Sequence, residues 1–292
     1  MFKVHTHARN VHEIEFFEHE AQIAMLSDLH FDNPHCDRDL LKRHLDYFKA
    51  NNIPVMVNGD FFCLMQGRGD NRRNKSDIRP EHNNARYLDS IVETAVDWFA
   101  PYADILTIIG YGNHETGVIK FQETDILQRF VDLLNYKCNT KVQTGGYGGW
   151  IIAKLQEQNI RASFNIKYMH GSGGGGVVTK GALNLTRAME IYENYDVFTM
   201  GHIHENSARN DVRDTIHCNA KLGYEVKHKH LHNMITGTYK EEYQDGASGW
   251  HVERGAPVKP LGGRILKLKV TRERIDDTRR IHKFIDSTQI FV

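Results

Sequence analysis

The sequence predicts an α/β fold in which a parallel sheet, covered by helices, packs against a second sheet. In the first half of the 292-residue chain, short apolar runs alternate with amphipathic helical patterns, which is typical of a parallel sheet with helical crossovers. The second half is mostly β in pattern. No internal repeat and no low-complexity linker interrupts the chain, so we expect a single domain over residues 1–292.

The first half contains three predicted strands, each followed by a predicted helix. In chain order these are strand 22–27, helix 39–50, strand 53–58, helix 84–99, strand 105–109 and helix 123–134. In the first helix Leu40, Leu41, Leu45 and Phe48 predict one buried helical face.

The second half changes to shorter apolar runs and strand-like alternation. The predicted elements are strands 150–155 and 162–169, helix 183–192, strand 197–200 and, from residue 214 onward, mostly strands that end with 264–270. We therefore place a motif-bearing core at about residues 22–204, followed at about 205–292 by a β-rich part of the second sheet.

Composition and charge exclude several classes. With 40% hydrophobic and 25% charged residues the chain is globular, and its 37 basic and 37 acidic residues leave no overall field to attract nucleic acid or an anionic membrane. No apolar run has the length of a membrane span, and the polar N-terminus lacks a secretory apolar core. The four cysteines are widely spaced, as in reduced proteins. We expect a soluble, cytoplasmic protein without membrane partners.

Polar clusters follow five of the predicted strands at the point where each strand ends. They are Asp28 and His30, then Asp60, then Asn113, His114 and Glu115, then His170, and finally His202 and His204. Ligands of open α/β sheets bind at the carboxyl ends of the strands. The sequence therefore predicts that these oxygen and nitrogen ligands meet at one edge of the fold.

Each cluster alone has a plain structural explanation. Gly59-Asp60 is also a common turn, Asn113 could cap a helix, and a single histidine such as His204 is most often a surface residue. These separate explanations do not account for the presence of all five clusters in this order.

The order D-x-H, G-D, G-N-H-E, H and G-H-x-H, which spans residues 26–204, resembles the calcineurin-like metallophosphoesterase superfamily. The resemblance implies a four-layer αββα sandwich: two packed mixed β-sheets flanked by helices, with a metal site at the C-terminal ends of the strands. The Asp60-Phe61-Phe62 context is similar to the phosphodiesterase and repair-nuclease branches.

The same resemblance implies two divalent transition-metal ions. The first would be held by Asp28, His30 and His204, the second by Asn113, His170 and His202, and Asp60 would bridge both. Mixed imidazole and carboxylate ligands suit Mn, which we favour, or Fe, Zn, Ni or Co. Two such ions clamp the attacking and leaving oxygens of an in-line displacement and acidify a bridging water to hydroxide.

Two further residues receive catalytic roles from the resemblance. His114 would lie toward the leaving-group oxygen, as an acid or as a stabiliser of phosphoryl charge, which suits the pKa of histidine. Glu115 would orient His114, or it is simply an acid at a helix N-terminus.

Two branches of the superfamily are disfavoured by single residues. Tyr111 stands where serine/threonine protein phosphatases carry an arginine, and Cys63 stands where purple acid phosphatases carry a metal-binding tyrosine. The expected function is hydrolysis of phosphodiesters, in nucleic acid or nucleotides. The alternatives are a phosphomonoesterase acting on phosphoprotein or nucleotide and, in another class, a non-catalytic metal-binding scaffold.

Three segments have open interpretations. In residues 68–79 the cations Arg68, Arg72, Arg73, Lys75 and Arg79 are candidates for binding substrate phosphates, or the segment is a solvated loop. Residues 227–232 (KHKHLH) are interpreted as a solvent-facing strand rather than a metal site. Residues 239–260 are a packed surface loop or a substrate-side lid. The sequence indicates no oligomeric state.

Overall fold

The computed structural model describes residues 1–65, 77–157, 160–219, 223–243, 246–247, 250–275 and 278–290. In chain order its elements are β1 (Phe2–Ala8), β2 (Val11–Phe16), β3 (Glu20–Leu26), α1 (Arg38–Ala50), β4 (Val55–Asn58), α2 (Tyr87–Phe99), β5 (Leu106–Gly110), α3 (Asn113–Gln122), α4 (Ile126–Cys138), β6 (Gln143–Thr144), β7 (Gly148–Glu157), β8 (Ile160–Met169), α5 (Ala182–Met189), β9 (Val197–Met200), β10 (Ser207–Asn219), β11 (Gly223–Ile235), α6 (Trp250–Glu253), β12 (Arg264–Ile275) and β13 (Thr278–Gln289). Short 3₁₀ turns lie at Pro80–His82 and Ala100–Tyr102.

The strands form two mixed sheets, which confirms the predicted fold class. One sheet has six strands in the order β13-β12-β3-β4-β5-β6, and β3 to β6 run parallel. The other has seven strands in the order β1-β2-β7-β8-β9-β11-β10. In that sheet β8, β9 and β11 are parallel neighbours.

A continuous apolar layer joins the two sheets face to face. Its fully buried members include Met56 and Ile108 from the six-stranded sheet and Phe164 and Ile166 from the seven-stranded sheet. Burial of such side chains is the main favourable term that holds the sheets together. The two sheets therefore keep a fixed position relative to each other.

Helices cover the outer faces. Helices α1, α2 and α4 pack on the six-stranded sheet through a core that contains the aromatic rings of Phe61, Phe99 and Phe130. Helix α5 covers part of the seven-stranded sheet through Leu185 and Met189. The layers are thus helix, sheet, sheet and helix.

Local signals explain where the helices begin. Helix α1 starts where the side chain of Asp37 accepts a hydrogen bond of 2.8 Å from the backbone N–H of Leu40. Helix α4 starts in the same way, with Asp125 accepting from the N–H of Gln128 at 2.9 Å. Such caps satisfy backbone donors that have no partner within the helix.

The structure differs from the predicted elements in three places. Strands β1 and β2 were not predicted. The predicted helix 123–134 is α4, which runs from Ile126 to Cys138, and the separate helix α3 before it was not predicted. Glu123, which ends α3, has a left-handed backbone with φ of 54°. The C-terminal strands are divided: β10 and β11 join the seven-stranded sheet, whereas β12 pairs antiparallel with β3 in the six-stranded sheet. Leu266, Leu268 and Val270 of β12 face the layer between the sheets.

The KHKHLH segment lies in β11, as predicted. Lys227, His228 and His230 are exposed, whereas His232 is buried and hydrogen-bonds to Asn210 and Ser287 at 2.7 and 2.8 Å. All four cysteines are free thiols. Across the described ranges, no helix combines the length and apolar character needed to cross a membrane.

We expect Ile108→Ala to lower the free energy of unfolding by about 2–5 kcal/mol, because it leaves a cavity between the sheets. Chemical denaturation measures this change. Ile216→Ala, at a strand position whose side chain is 76% exposed, is the matched control and should change stability by less than about 0.5 kcal/mol. Equal effects of the two substitutions would contradict the assignment of the inter-sheet core.

Candidate metal centre

The predicted ligand residues come together at the carboxyl edge of both sheets. Asp28 and His30 follow β3, Asp60 follows β4, Asn113 begins α3 after β5, His170 follows β8, and His202 and His204 follow β9. Two groups of three have ligand atoms within 4.8 Å of one another and could hold a metal ion.

The first group consists of Asp28, His30 and His204. The Nε2 atoms of His30 and His204 are 3.3 Å apart, and His204 Nε2 lies 3.3 Å from Asp28 Oδ1. The other carboxylate oxygen of Asp28 is occupied, because it accepts from the Ser27 hydroxyl and from the His202 N–H at 2.9 Å. These bonds aim Oδ1 at the two imidazoles.

The second group consists of Asp60, His170 and His202. His170 Nε2 lies 3.1 Å from Asp60 Oδ2 and 3.3 Å from Asn113 Oδ1. His170 Nδ1 donates to the carbonyl of Asn58 at 2.8 Å, which leaves Nε2 facing Asp60 and Asn113. A second partner of this kind commonly orients a metal-binding imidazole.

Cys63 joins the centre although the sequence analysis did not assign it a role. Its Sγ lies within 4.8 Å of ring nitrogens of His30 and His114, and Asn33 donates to it at 3.3 Å. Burial raises the pKa of the Cys63 thiol. Its position three residues after Asp60 was the available signal.

His114 and Glu115 have separate roles. His114 Nδ1 hydrogen-bonds to the carbonyl oxygen of Cys63, which requires the proton on Nδ1 and leaves Nε2 toward Asp60, 3.8 Å from Oδ2. Glu115 accepts from the N–H groups of Phe62 and Gly112 at 2.9 and 2.8 Å. Glu115 therefore has the contacts of the alternative interpretation, an acid that caps the N-terminus of a helix.

The backbone at the centre is conformationally unusual. Eleven described non-glycine residues have positive φ, and five of them are centre residues: Asp28 (53°), His30 (47°), Asp60 (47°), His202 (69°) and His204 (55°). Each such residue costs about 1–3 kcal/mol, and such strain concentrates at functional sites. The surrounding structure therefore holds these side chains in place at a cost in stability.

Two glycines of the motifs are needed for close approach. A side chain at Gly112 would overlap the carboxylate of Asp60, and one at Gly59, whose φ is 82°, would overlap the ring of His170. The glycine of each motif thus makes room for a ligand of another motif.

The residues present fit a bound cation. Asp28 Oδ1 and His30 Nδ1 are buried and lack a hydrogen-bond partner among the described residues. A buried polar atom without a partner costs about 1–3 kcal/mol. A metal ion coordinated by the carboxylate and imidazole donors would satisfy the carboxylate oxygen.

The charges of the centre are strongly coupled. Burial disfavours ionisation of Asp60, but the nearby His170 and His114 outweigh it and hold the pKa of Asp60 well below its usual value. Burial lowers the pKa of His170, but Asp60 outweighs that effect and raises it to about 10. Burial, followed by the charge of His114, holds the pKa of His30 well below its usual value. Burial, reinforced by Asp60, raises the pKa of Glu115 to about 8.

Of the five predicted substrate cations, the structure describes only Arg79. Arg68, Arg72, Arg73 and Lys75 lie outside the described residues. Arg79 is described, and its guanidinium donates to the carbonyls of Asn33 and Cys36 at 3.0 and 3.2 Å. Arg79 thus supports the loop between β3 and α1.

No protein-family model matches the sequence, and no curated protein matches it. Among solved structures, Vacuolar Protein Sorting 29 from Cryptosporidium parvum is 11% identical, over 93% of this chain and all of that one, with a TM-score of 0.33. GAP50, described as the anchor in the inner membrane complex of Plasmodium, is 12% identical over 87% of this chain and 84% of that one, with a TM-score of 0.45. Likenesses this distant carry no functional argument, so the function rests on the residues of this chain.

We expect Asp28→Asn to weaken divalent-metal binding by about ten-fold or more, because it removes the negative charge of a ligand group. Calorimetric titration of chelator-stripped protein with Mn²⁺ measures the affinity. Asp214→Asn is the control, since the Asp214 side chain is 80% exposed on β10. Unchanged affinity in Asp28→Asn would contradict the assignment of the first group.

Proposed function

We propose that this chain is a metal-dependent hydrolase of phosphate esters, with two divalent ions, that favours phosphodiesters of nucleic acid or nucleotides. The observation that supports it is the side-by-side placement of the Asp28–His30–His204 and Asp60–His170–His202 groups at one edge. The two groups are linked, because the N–H of His202 in the second donates to Asp28 in the first.

The proposed ligands form two sets. Asp28, His30 and His204 would hold one ion, Asn113, His170 and His202 would hold the other, and Asp60 would contribute to both. When bound, two such ions neutralise phosphoryl charge and lower the pKa of water. Their imidazole, amide and carboxylate ligands suit manganese, with Fe, Zn, Ni and Co as alternatives.

His114 is the proposed acid. Its Nδ1 is bound to the Cys63 carbonyl, so Nε2 is the atom that exchanges a proton with the leaving-group oxygen. Because its ring is only 8% exposed and its backbone N–H is bonded to Asp60 at 3.1 Å, the position of Nε2 is defined. Glu115 contributes by holding two backbone segments near His114, because it accepts hydrogen bonds from the N–H groups of Phe62 and Gly112.

Tyr111 favours a diester over a phosphoprotein substrate. Its hydroxyl donates to Asp125 at 2.7 Å, at the start of α4. The position directly before the Gly112-Asn113-His114 turn therefore supports a helix and provides no guanidinium for a phosphate dianion. A phosphomonoesterase is the second candidate. A non-catalytic metal-binding scaffold is third, because each proposed ligand and His114 is present.

We expect Asp60→Asn and His202→Ala to lower the turnover of bis(p-nitrophenyl) phosphate by about a thousand-fold, roughly 4 kcal/mol of transition-state stabilisation. Release of nitrophenolate with Mn²⁺ present measures the rate, and a chelator should abolish it in the parent protein.

His228→Ala, at a histidine whose side chain is 64% exposed, is the control and should retain full activity. Full turnover by Asp60→Asn after removal of its metals would overturn the proposed function. A preference for p-nitrophenyl phosphate by orders of magnitude would instead establish the phosphomonoesterase.

We expect His114→Ala to affect a poor leaving group more than a good one, because only a basic leaving oxygen needs a proton. For a dinucleotide with an alkoxide leaving group the rate should fall by about a hundred-fold or more. For bis(p-nitrophenyl) phosphate the loss should be much smaller. Equal losses on the two substrates, with the metal content of the parent protein, would show that His114 is not the acid.

A further inference from the structure

The segment that contains Lys240 is fixed against the loop that carries Asp28 and His30. The backbone hydrogen bonds and one side-chain hydrogen bond measure 2.8–3.0 Å: Thr238 Oγ1 and Tyr239 N donate to the Asp28 carbonyl, Asp37 N donates to the Tyr239 carbonyl, and Glu241 N donates to the His35 carbonyl. Lys240 itself forms an isolated β-bridge with Cys36. The backbone of Lys240 is therefore positioned relative to the metal centre.

The side chain of Lys240 belongs to a cluster with Glu242 and His251, called here the Lys240 cluster. Lys240 Nζ lies 2.5 Å from Glu242 Oε1, and His251 Nδ1 contacts Glu242 Oε2. The three side chains are only 12%, 17% and 12% exposed. Burying an ion pair carries a desolvation penalty that often exceeds its attraction, so stability alone does not explain this cluster.

The cluster lies close to the centre. Thr238 and Tyr239, directly before Lys240 in the chain, donate to the Asp28 carbonyl. Burial disfavours ionisation of Glu242, but the charges of Lys240 and then His204 outweigh it and lower its pKa. The Lys240 cluster therefore lies on the Asp28 and His204 side of the centre.

Cys63 relates the position of Lys240 to the centre. The charge of Lys240 also acts on the Cys63 thiol, and Cys63 Sγ lies with His30 and His114 within 4.8 Å. Lys240 and the proposed acid His114 thus share Cys63 as a neighbour.

We propose that Lys240 binds an oxygen of a tetrahedral phosphoryl anion held at the metal centre, and that the anion competes with Glu242 for its ammonium. This inference rests on the proposed function for the class of substrate. An ammonium is a compact charge with three N–H donors, of which Glu242 engages one. It suits a phosphoryl oxygen that the metal ions and His114 do not bind.

A purely structural ion pair predicts a different pattern of variants. If the pair only stabilised the loop, loss of either partner would have similar consequences. If Lys240 binds the anion, Lys240→Met removes the binding charge, whereas Glu242→Gln leaves the ammonium and removes its competitor. The effects on anion affinity then have opposite signs.

The test is calorimetric binding of inorganic phosphate to the Mn²⁺-loaded protein. We expect Lys240→Met to weaken phosphate binding by about ten-fold or more, Lys240→Arg to retain most of it, and Glu242→Gln to bind at least as tightly as the parent. Lys259→Met is the matched control: Lys259 also forms a 2.5 Å pair, with Glu205, and is 16% exposed. Its phosphate affinity should change by less than about two-fold.

Two outcomes would overturn the inference. One is parent-like phosphate affinity in Lys240→Met with unchanged metal content, and the other is equal weakening in Lys240→Met and Glu242→Gln. Because phosphate binding is measured without turnover, these results stand apart from the proposed function. If the parent protein hydrolyses phosphate esters but Lys240→Met binds phosphate as tightly as the parent, only the role of Lys240 is contradicted.

Discussion

The centre depends on the fixed alignment of two sheets packed face to face. Asp28, His30 and Asp60 extend from the six-stranded sheet, whereas His170, His202 and His204 extend from the seven-stranded sheet. The Asp28–His30–His204 and Asp60–His170–His202 groups each draw ligands from both sheets, so neither sheet alone provides either of these two groups. Because close-packed interiors resist displacement, the apolar layer between the sheets sets the distance between ligands.

The ligand residues at the carboxyl edge of the sheets are both buried and strained in their backbone. Both features follow from the need to hold charged side chains close together. Asp60 is 2% exposed, and Asp28 is fully buried. Within the protein, the negative charge of Asp60 is balanced by the neighbouring His170. One carboxylate oxygen of Asp28 accepts hydrogen bonds from the Ser27 hydroxyl and the His202 N–H. The left-handed residues turn the chain sharply just after β3, β4 and β9, so that carboxylates and imidazoles face one another and not the solvent. A protein without a use for these contacts would gain stability by relaxing them.

Local sequence patterns made the residues of the centre predictable, whereas features that depend on pairing between distant parts of the chain were not predicted. The strands β3, β4, β5 and β9 were predicted because each is an apolar run, and β8 was predicted from its alternating pattern. All five end in a polar motif, and the edge they share follows from sheet geometry. Strand β1 was missed because five of its seven residues are exposed in an irregular pattern. The pairing of β12 with β3 joins residues about 240 positions apart, which no local signal announces. Cys63 and Lys240 were missed because their roles depend on neighbours that are remote in sequence.

The loop between β3 and α1 connects ligand geometry to anion binding. Arg79 supports it through the carbonyls of Asn33 and Cys36, and the segment around Lys240 supports it through the His35 carbonyl and the Cys36 bridge. The loop that begins at Asp28 and His30 is thus bound both by Arg79 and by the segment around Lys240. The second of these carries the cation proposed to bind the phosphoryl anion. Since the segment around Lys240 contributes no proposed metal ligand, we expect changes in it to alter which anion binds while the metal ligands stay in place. Specificity and metal binding would then be separable in this fold, even though both rely on the same loop.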